Sequence, residues 1–540
     1  MKNCYNVRNV TNGKEMYVDL DQVEWRRMRL PPEEVNIVMI PRSQHNDPRC
    51  IQAKLDELQK LEDFQTYSEI EDRGQNTIST TWVLWQKGEE FRARLVARGF
   101  EDEAITENDS PTVAKSTLRV FLTYAAHLNW KIRTTDIKSA FLQGKILERD
   151  VFLKPPPEAE VSDGKIWKLR RCLYGLNDAA RQFYESVVES LLSLGCQRSN
   201  LDPALFYRRG PDGVLIGLIA CHIDDFLHAG NKTFDDSVMT KLRQRFLAGK
   251  LEEGQFKYIG FEIKQSVEGV TLNQDDFTRS LEIPEAPKSR KKEDPLVGAE
   301  FSSLRSQVGR LNWAVQGSRP DMAFDMIELS TRFRKGTVED LVRAGKCLRR
   351  LKDSTSTIYF PSLGDVRKWR IIVFSDAAHA NLNDGVSSTG GHLVLLCDPN
   401  GNCCILSWQA NKIKRVVKSS LAAETLSLLE GIEDAFFLHS LMSEIGILDA
   451  DIPISSVVDS KSLVENVHST KSVEDKRTRI DLAAIKEYLM DGRVKSIQWC
   501  PGSKQLANCM TKKGASGVEL LEMVQKGKID LSEFNLVPQP

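Results

Sequence analysis

Apolar residues along this chain keep two different periods, and the switches between them mark its organisation. Ile51, Leu55, Leu58 and Leu61 fall at helical spacing and predict a helix over 51–61. From Thr77 to about Ile263, β-rich and helical segments alternate in an α+β pattern. Within that stretch Val214–His222 (VLIGLIACH) reads as a buried strand, Ile223-Asp224-Asp225 interrupts it, and Phe226-Leu227-His228 resumes it. Ser303–Leu351 is helical by periodicity. Trp369–Ser375, Gly391–Cys397 and Asn402–Trp408 then read as strands, and a long helix runs from about Leu421 to Ile445, stopped by Gly446. A short strand at Ser455–Val458, a helix at Val473–Met490 and a last strand at Val494–Trp499 complete the series. That order, β-β-β-α-β-α-β, fits a mixed sheet with helices packed on it.

Breaks in the pattern set the expected boundaries. Residues 1–45 are polar, irregular and punctuated by Pro31, Pro32 and Pro41, a weakly ordered lead-in. Residues 46–283 hold the first α+β unit. Pro284–Pro295 (PEAPKSRKKEDP) has proline at both ends and a basic run, the signature of an exposed linker, and opens a linker-plus-helical region over 284–361. Residues 362–515 carry the second sheet, and 516–540 form a C-terminal tail. A chain of 540 residues predicts three or four domains, here of α+β and α/β class.

Composition narrows the function classes. The chain is 41% apolar and 28% charged, which excludes wholesale disorder and fibrous repeats. Its longest clean apolar run, Val214 to Cys221, is too short to span a bilayer, and the first twenty residues lack the apolar stretch of a signal peptide. The expectation is a soluble intracellular protein with no membrane partner. Eleven cysteines without a CxxC pair or zinc-finger spacing read as reduced thiols. Net charge is −1, but cations cluster locally. Arg332 to Lys352 holds eight Lys or Arg, and smaller groups lie at 92–98, 165–171 and 412–418. Each reads either as a solvated face or as a phosphate-binding surface.

Asp224 and Asp225 sit at the tip of an apolar hairpin, where adjacent acids are unfavourable unless something neutralises them. A plain hairpin turn is one reading and a bound divalent cation the other. Asp136 favours the cation, because it ends a strand-like segment (Lys131–Asp136) of its own. Three carboxylates on neighbouring strands suit two Mg²⁺ ions about 3.5–4 Å apart, and hard cations demand oxygen ligands.

Seven blocks now stand in order: FRARLVARGF (91–100), DSPTVAKSTLR (109–119), TTDIKSAFLQG (134–144), LYGLNDAARQFY (173–184), HIDDF (222–226), YIGFEI (258–263) and SRPDMAF (318–324). Together they resemble the reverse transcriptase of copia-type LTR retrotransposons, over roughly residues 45–515. The resemblance implies a right-hand polymerase, with fingers and palm in 46–283 and a thumb or connection in 284–361. It implies that Asp136, Asp224 and Asp225 bind the catalytic metals, that Arg92 and Arg94 contact the incoming nucleotide's phosphates, and that Phe141 is a steric gate against a ribose 2′-OH. Arg181 falls in a nucleotide-contacting block, and Tyr258 and Gly260 fall in the primer-grip block. Two positions depart from the family: His222 replaces a usual aromatic, and Asp178 replaces a nucleotide-contacting amide.

A second set of acids lies downstream. Asp376 follows the strand Trp369–Ser375, and Asp459 follows Ser455–Val458. Glu424, near the start of the long helix after a Ser420 cap, shares a face with Leu428, Gly431 and Ala435. A carboxylate on that apolar face is normally excluded unless paired or metal-bound. Separate caps and surface acids are the alternative reading. SDAAHA (375–380), STGGHLVLL (388–396), LSWQANKIK (406–414), SSLAAET (419–425) and VVDSKS (457–462) resemble the RNase H domain that follows the polymerase in the same family. The family's fourth acid falls in QLANCMTK (505–512), where this chain has Asn508, a ligand without charge for the second metal.

The expected function is therefore an RNA-directed DNA polymerase with RNase H activity. Each active site would use two Mg²⁺ ions, or Mn²⁺ in their place. The expected partners are an RNA template, a DNA primer, an RNA–DNA hybrid and deoxynucleoside triphosphates. The expected place is the cytoplasm, in a virus-like particle, and the nucleus. Protease, zinc-knuckle and integrase patterns do not appear, so the chain reads as the C-terminal portion of a Pol polyprotein. An inactive or co-opted nucleic-acid-binding relic is the rival, kept open by Asp178 and Asn508. A stand-alone RNase H-like nuclease is a third reading, and the acids 136, 224 and 225 argue against it.

Overall fold

The computed structural model describes residues 39–285, 287, 289–448, 452–470 and 473–536, and the backbone of the strands Cys4–Arg8, Glu15–Asp19 and Ile37–Met39. Most of the expected lead-in lies outside the described residues. The first helix, α1 (Pro48–Asp63), begins where Asp47 accepts the Arg49 backbone N–H at 2.9 Å, with proline at its first position. It packs on the hairpin β1 (Thr80–Lys87) and β2 (Glu90–Ala97), burying Leu58 and Leu61.

Helix α2 (Lys115–His127) is buried continuously from Thr117 to Ala126, as a helix enclosed on all sides must be. The sheet beside it has six antiparallel strands. Their order is Gln197–Arg198, β4 (Leu205–Arg209), β5 (Leu215–His222), β6 (Asp225–Gly230), β3 (Ile132–Ile137) and β7 (Ala248–Glu253). Helix α3 (Ala179–Ser193) packs on this sheet through Phe183, Val187 and Leu191. A second antiparallel sheet joins β8 (Gln255–Tyr258), β9 (Phe261–Gln265), β10 (Gly269–Asn273) and β11 (Ile358–Pro361). Between β10 and β11 the chain makes α4 (Ala299–Gly317), α5 (Ala323–Ser330) and α6 (Val338–Asp353). The single helical stretch expected over 303–351 is thus three helices, broken at the SRPD segment and at Gly336.

The last sheet has the order β14-β13-β12-β15-β16: β12 (Arg370–Ala378), β13 (Thr389–Cys397), β14 (Cys403–Lys412), β15 (Ile454–Val458) and β16 (Val494–Trp499). Strands β12, β13 and β14 pair antiparallel, and β15 and β16 join parallel. Helix α7 (Ser420–Ile445) crosses it, and Gly446 ends α7 at φ 82°. Gly431 faces the sheet, where an added Cβ would lie 2.7 Å from Val373 Cγ1, so this crossing needs glycine. Helices α8 (Lys461–His468) and α9 (Lys476–Met490) follow β15. Helix α8 is absent from the pattern-based expectation, being short and half exposed.

Past β16 come α10 (Asn508–Thr511) and α11 (Val518–Lys526). Here the structure differs from the expected tail over 516–540. Leu520, Met523, Val524, Leu531 and Phe534 are buried, and the Phe534 ring meets Phe374 edge-on at 5.0 Å. The apolar spacing of α11 puts these residues in the main core. That core runs from Leu118 through Phe261, Leu304 and Leu348 to Val373, Leu393 and Phe534, so palm, helices and last sheet share one interior.

Two buried arginines join the parts. The Arg119 guanidinium lies 3.5 Å from the Trp408 ring centre and donates to the Gln316 carbonyl (2.7 Å) at the C-terminal end of α4. A helix C-terminus and an aromatic face both favour a cation. Arg319 grips Asp321 with two 2.9 Å hydrogen bonds and donates to the Ser354 carbonyl (2.7 Å), while Arg350 reaches Asp321 at 2.9 Å. The Asp321 side chain is fully enclosed, with Gly517 of the C-terminal segment against it. Asp321→Ala leaves Arg319 buried and uncompensated, and such a loss costs about 3–5 kcal/mol. Urea unfolding should show that fall; a change below about 1 kcal/mol would mean the pair is screened.

Candidate active sites

The first candidate site forms at one end of the six-stranded sheet. Asp225 begins β6 and lies directly opposite Asp136 on β3. Asp224 occupies the two-residue turn between His222 and Asp225, and its carbonyl accepts the Ile137 N–H at 2.9 Å. Ile223 beside it has φ 58°, a strained conformation for a β-branched residue. Gly249 on β7 backs Asp136 so closely that an added Cβ would lie 2.0 Å from its Oδ1. Burial raises the Asp224 pKa, the Asp136 charge raises it further, and Arg94 opposes them. The structure thus places Asp136, Asp224 and Asp225 on adjoining strand ends, with Asp136 exposed, but their carboxylate oxygens do not all gather within 4.8 Å as those of the second site do.

Of the other expected polymerase residues, Arg94 lies near enough to this edge for its charge to oppose the rise at Asp224. The Arg94 guanidinium lies between two rings, 4.8 Å from Tyr174 and 5.2 Å from Trp85. Arg92, on the same face of β2, is exposed and pairs with Glu90 at 2.8 Å. Phe141 sits in a 3₁₀ turn, Ala140–Gln143, after the left-handed Ser139. Arg181 pairs with Glu185 (2.7 Å) and Glu107 (3.2 Å). Tyr258 is buried and donates to the Ala220 carbonyl on β5 at 3.0 Å, tying the second sheet to the palm. The hairpin tip after it carries Ile259 at φ 45° and Gly260 at φ 80°.

The Asp178 departure has a structural account. Its carboxylate is buried and accepts two hydrogen bonds from Arg149, at 3.0 and 3.1 Å, while Arg149 also holds Asp102 at 2.8 Å. Asp178 is thus engaged in a three-residue ion pair. The Arg332–Lys352 cluster is also partly engaged. Arg332 pairs with Asp340, Arg343 with Asp325 and Glu328, and Arg350 with Asp321. Arg334, Lys335, Lys346 and Arg349 are left exposed.

The second site lies where β12 and β15 end side by side. Asp376 on β12 is fully buried, Asp459 directly follows β15, and Glu424 points in from α7. The helix is capped by Ser419, one residue before the expected Ser420. Among the described residues these are the only three acidic, histidine or cysteine side chains whose ligand atoms all lie within 4.8 Å of one another. Gln505, which sequence reasoning passed over, donates to the Ser375 and Val457 carbonyls at 3.0 and 3.2 Å and so binds the two acid-bearing strands together.

Lys512 is the other residue not anticipated. Its ammonium donates to Asp376 (2.9 Å), Asp459 (3.3 Å) and the Asn508 amide oxygen (2.5 Å). Thr511 donates to the second Asp376 oxygen, and the Asn508 amide nitrogen donates to the Gly502 carbonyl. Both ends of the Asn508 amide are therefore occupied. Glu424 Oε2 is buried without a hydrogen-bond partner. Burial, then the Asp376 and Asp459 charges, push the Glu424 pKa up, and burial likewise raises Asp376. An orphaned carboxylate oxygen beside two more acids is a donor set that fits a hard divalent cation.

Residues 64–284 match the family described as reverse transcriptase (RNA-dependent DNA polymerase). The chain is 30% identical over 382 residues to the retrovirus-related Pol polyprotein from transposon RE1 of Arabidopsis thaliana, covering 66% of this chain and 25% of that protein. Against the Pol polyprotein from transposon TNT 1-94 of Nicotiana tabacum it is 25% identical over 456 residues, 77% of this chain and 33% of that one. The matched segment and these relatives make the chain similar to the reverse transcriptase portion of transposon Pol polyproteins. It spans a quarter to a third of the length of these two Pol relatives. In fold it is similar to the foamy viral protease–reverse transcriptase dRH in complex with double-stranded DNA. That match has a TM-score of 0.51 at 13% identity, over 89% of this chain and 77% of that one. What the two share is a multidomain fold of mixed helix and sheet.

Among the described residues no helix is long and apolar enough to cross a membrane.

The raised acids give a testable pH dependence. Glu424 and Asp376 hold their protons more tightly in the folded protein than in the unfolded chain. Folding therefore loses stability as pH rises above the ordinary carboxylate range of about 4 towards their raised values. Glu424→Gln should raise the metal-free thermal midpoint at pH 8 and leave it near the parent's at pH 4. Mg²⁺ should stabilise the parent more than the variant. Equal midpoints at both pH values, with and without Mg²⁺, would place Glu424 outside any charge cluster.

Proposed function

We propose that this reverse-transcriptase chain copies RNA into DNA and cleaves the RNA strand of the resulting hybrid, at two separate sites. The observation that carries the reading is the pairing of Asp225 with Asp136 across β6 and β3, with Asp224 in the adjoining turn. Asp136, Asp224 and Asp225 would hold one pair of divalent ions, and Asp376, Glu424 and Asp459 would hold those of the nuclease. Such ions supply charge for an attacking oxygen and for a leaving oxygen in phosphoryl transfer.

The chain's own residues do the rest. Arg94, held between two rings, presents a fixed cation to the triphosphate of an incoming deoxynucleotide. Phe141 closes the sugar pocket. Tyr258 fixes the hairpin of Ile259 and Gly260 against the palm, so the primer end is held relative to the acids. In the nuclease, Gln505 and Ser427 hold the backbone around Asp376; the Ser427 hydroxyl donates to the Asp376 carbonyl at 2.9 Å. Lys512 offsets the Asp376 and Asp459 charges through its two ion pairs. The exposed cations of 334–349 suit phosphate backbones without sequence readout.

A relic that keeps this fold without synthesis is the second reading, favoured by Asn508, whose amide oxygen is held by Lys512. Primer extension on poly(rA)·oligo(dT) with Mg²⁺ separates the two. Asp224→Asn should abolish extension, by about a thousandfold or more, as loss of transition-state charge stabilisation does. It should leave cleavage of a labelled RNA–DNA hybrid near the parent's. Loss of both activities with the fold intact, or no extension by the parent, would overturn the two-site reading.

A further inference from the structure

Tyr174 joins three parts of the polymerase site that lie far apart in sequence. It stands in the LYGL block, after the strand Lys165–Leu169. Its backbone carbonyl accepts the Ala97 N–H at 2.8 Å, which fixes it to the end of β2. Gly175 beside it has φ 91°, and an added Cβ there would lie 2.1 Å from the Ala97 carbonyl oxygen. The segment is thus clamped to the fingers by its main chain, and the ring is delivered to a defined place.

Three side chains meet that ring. The Phe141 ring packs on it at 5.3 Å, tilted by 56°. The Arg94 guanidinium lies over its face at 4.8 Å. The Ser139 side chain lies near its phenolic oxygen. Ser139 is a non-glycine residue at φ 50°, three residues after Asp136 and two before Phe141. A strained residue persists only where its surroundings over-determine it, and Tyr174 is such a surrounding. The same residue therefore braces the sugar gate, the phosphate cation and the bend between gate and catalytic acid.

We propose that Tyr174 is a positioning residue for sugar selection: it holds Phe141 against the deoxyribose and couples that gate to the triphosphate through Arg94. This rests on the polymerase reading above. The face of Tyr174 fixes Arg94 by a cation–π contact, so a nucleotide that draws Arg94 inward also loads the ring on which Phe141 rests. Loss of the ring frees both. The gate then tolerates a 2′-OH, and triphosphate binding weakens for either sugar.

Single-nucleotide insertion kinetics with dTTP and UTP test this. Tyr174→Leu should lower the preference for dTTP by about tenfold or more, the size of one pocket contact in discrimination, and raise KM for both nucleotides. Tyr174→Phe keeps the ring and should keep the preference. Phe141→Val combined with Tyr174→Leu should lose no more than Phe141→Val alone, since the two act as one unit. Nucleotide-stabilised complexes on a dideoxy-terminated primer read the same dTTP-to-UTP ratio without chemistry. A Tyr174→Leu enzyme that is slower but equally selective would overturn the proposal, because a merely structural role lowers kcat without moving the ratio. Full additivity with Phe141→Val would also overturn it. A parent that neither extends primers nor retains either nucleotide would instead overturn the polymerase reading beneath it.

Discussion

Carboxylates brought together at strand ends are the constraint on which the rest of this structure turns. Like charges that close to one another repel strongly, more so where protein replaces water. At Asp376, Glu424 and Asp459 the repulsion is held by the fold, and burial with the neighbouring charges raises Glu424. In the six-stranded sheet, the missing side chain of Gly249 leaves the space that the Asp136 carboxylate occupies, and the turn carrying Asp224 is pinned by the Ile137 N–H. In the last sheet, Gln505 straps β12 to β15, and Thr511 and Lys512 hold Asp376 from the open side. Backbone strain marks the first site: Ser139, Ile223 and Ile259 all take positive φ near it. Such strain costs of order 1–3 kcal/mol each and persists only where surrounding packing exceeds it.

That surplus comes from the shared core. Helix α2 carries Arg119, which is stacked on Trp408 of the last sheet and bound to the end of α4. The SRPD segment carries Arg319 and Asp321, and Gly517 lies against Asp321. Helix α10, with Asn508 and Thr511, packs on that segment and on α5. The residues that hold Asp376 are therefore supported by the helices that follow the palm. The two candidate sites are joined by packed elements rather than by a linker.

Much of this was legible in the sequence, because the strongest patterns there were also the most local. The strand lengths of the last sheet, the long helix stopped at Gly446 and the hairpin at Asp224 follow from periodicity and one glycine. Glu424 on an apolar face was visible as a charge where charge is normally excluded. Other features depend on distant partners and carried no local signal. The C-terminal segment looked like a tail because its apolar residues have meaning only against Phe374 and the thumb helices. Three of the eight cations in the Arg332–Lys352 cluster proved to be paired with acids, on the SRPD segment, the helix after it and the cluster's own helix. Asp178 read as a damaged nucleotide contact until Arg149, 29 residues earlier, was placed beside it. Lys512 was invisible for the same reason: its value comes from Asp376, 136 residues away.

If the two sites belong to one body, the distance between them is a property of the fold and must show on the nucleic acid. The most direct measurement stalls the enzyme with chain terminators at successive positions on an end-labelled RNA template and maps the RNA cuts at each stall. Cuts should move in step with the primer terminus, one nucleotide per nucleotide, at constant separation. Cuts scattered without relation to the primer end, or fixed in place while the primer advances, would contradict the account.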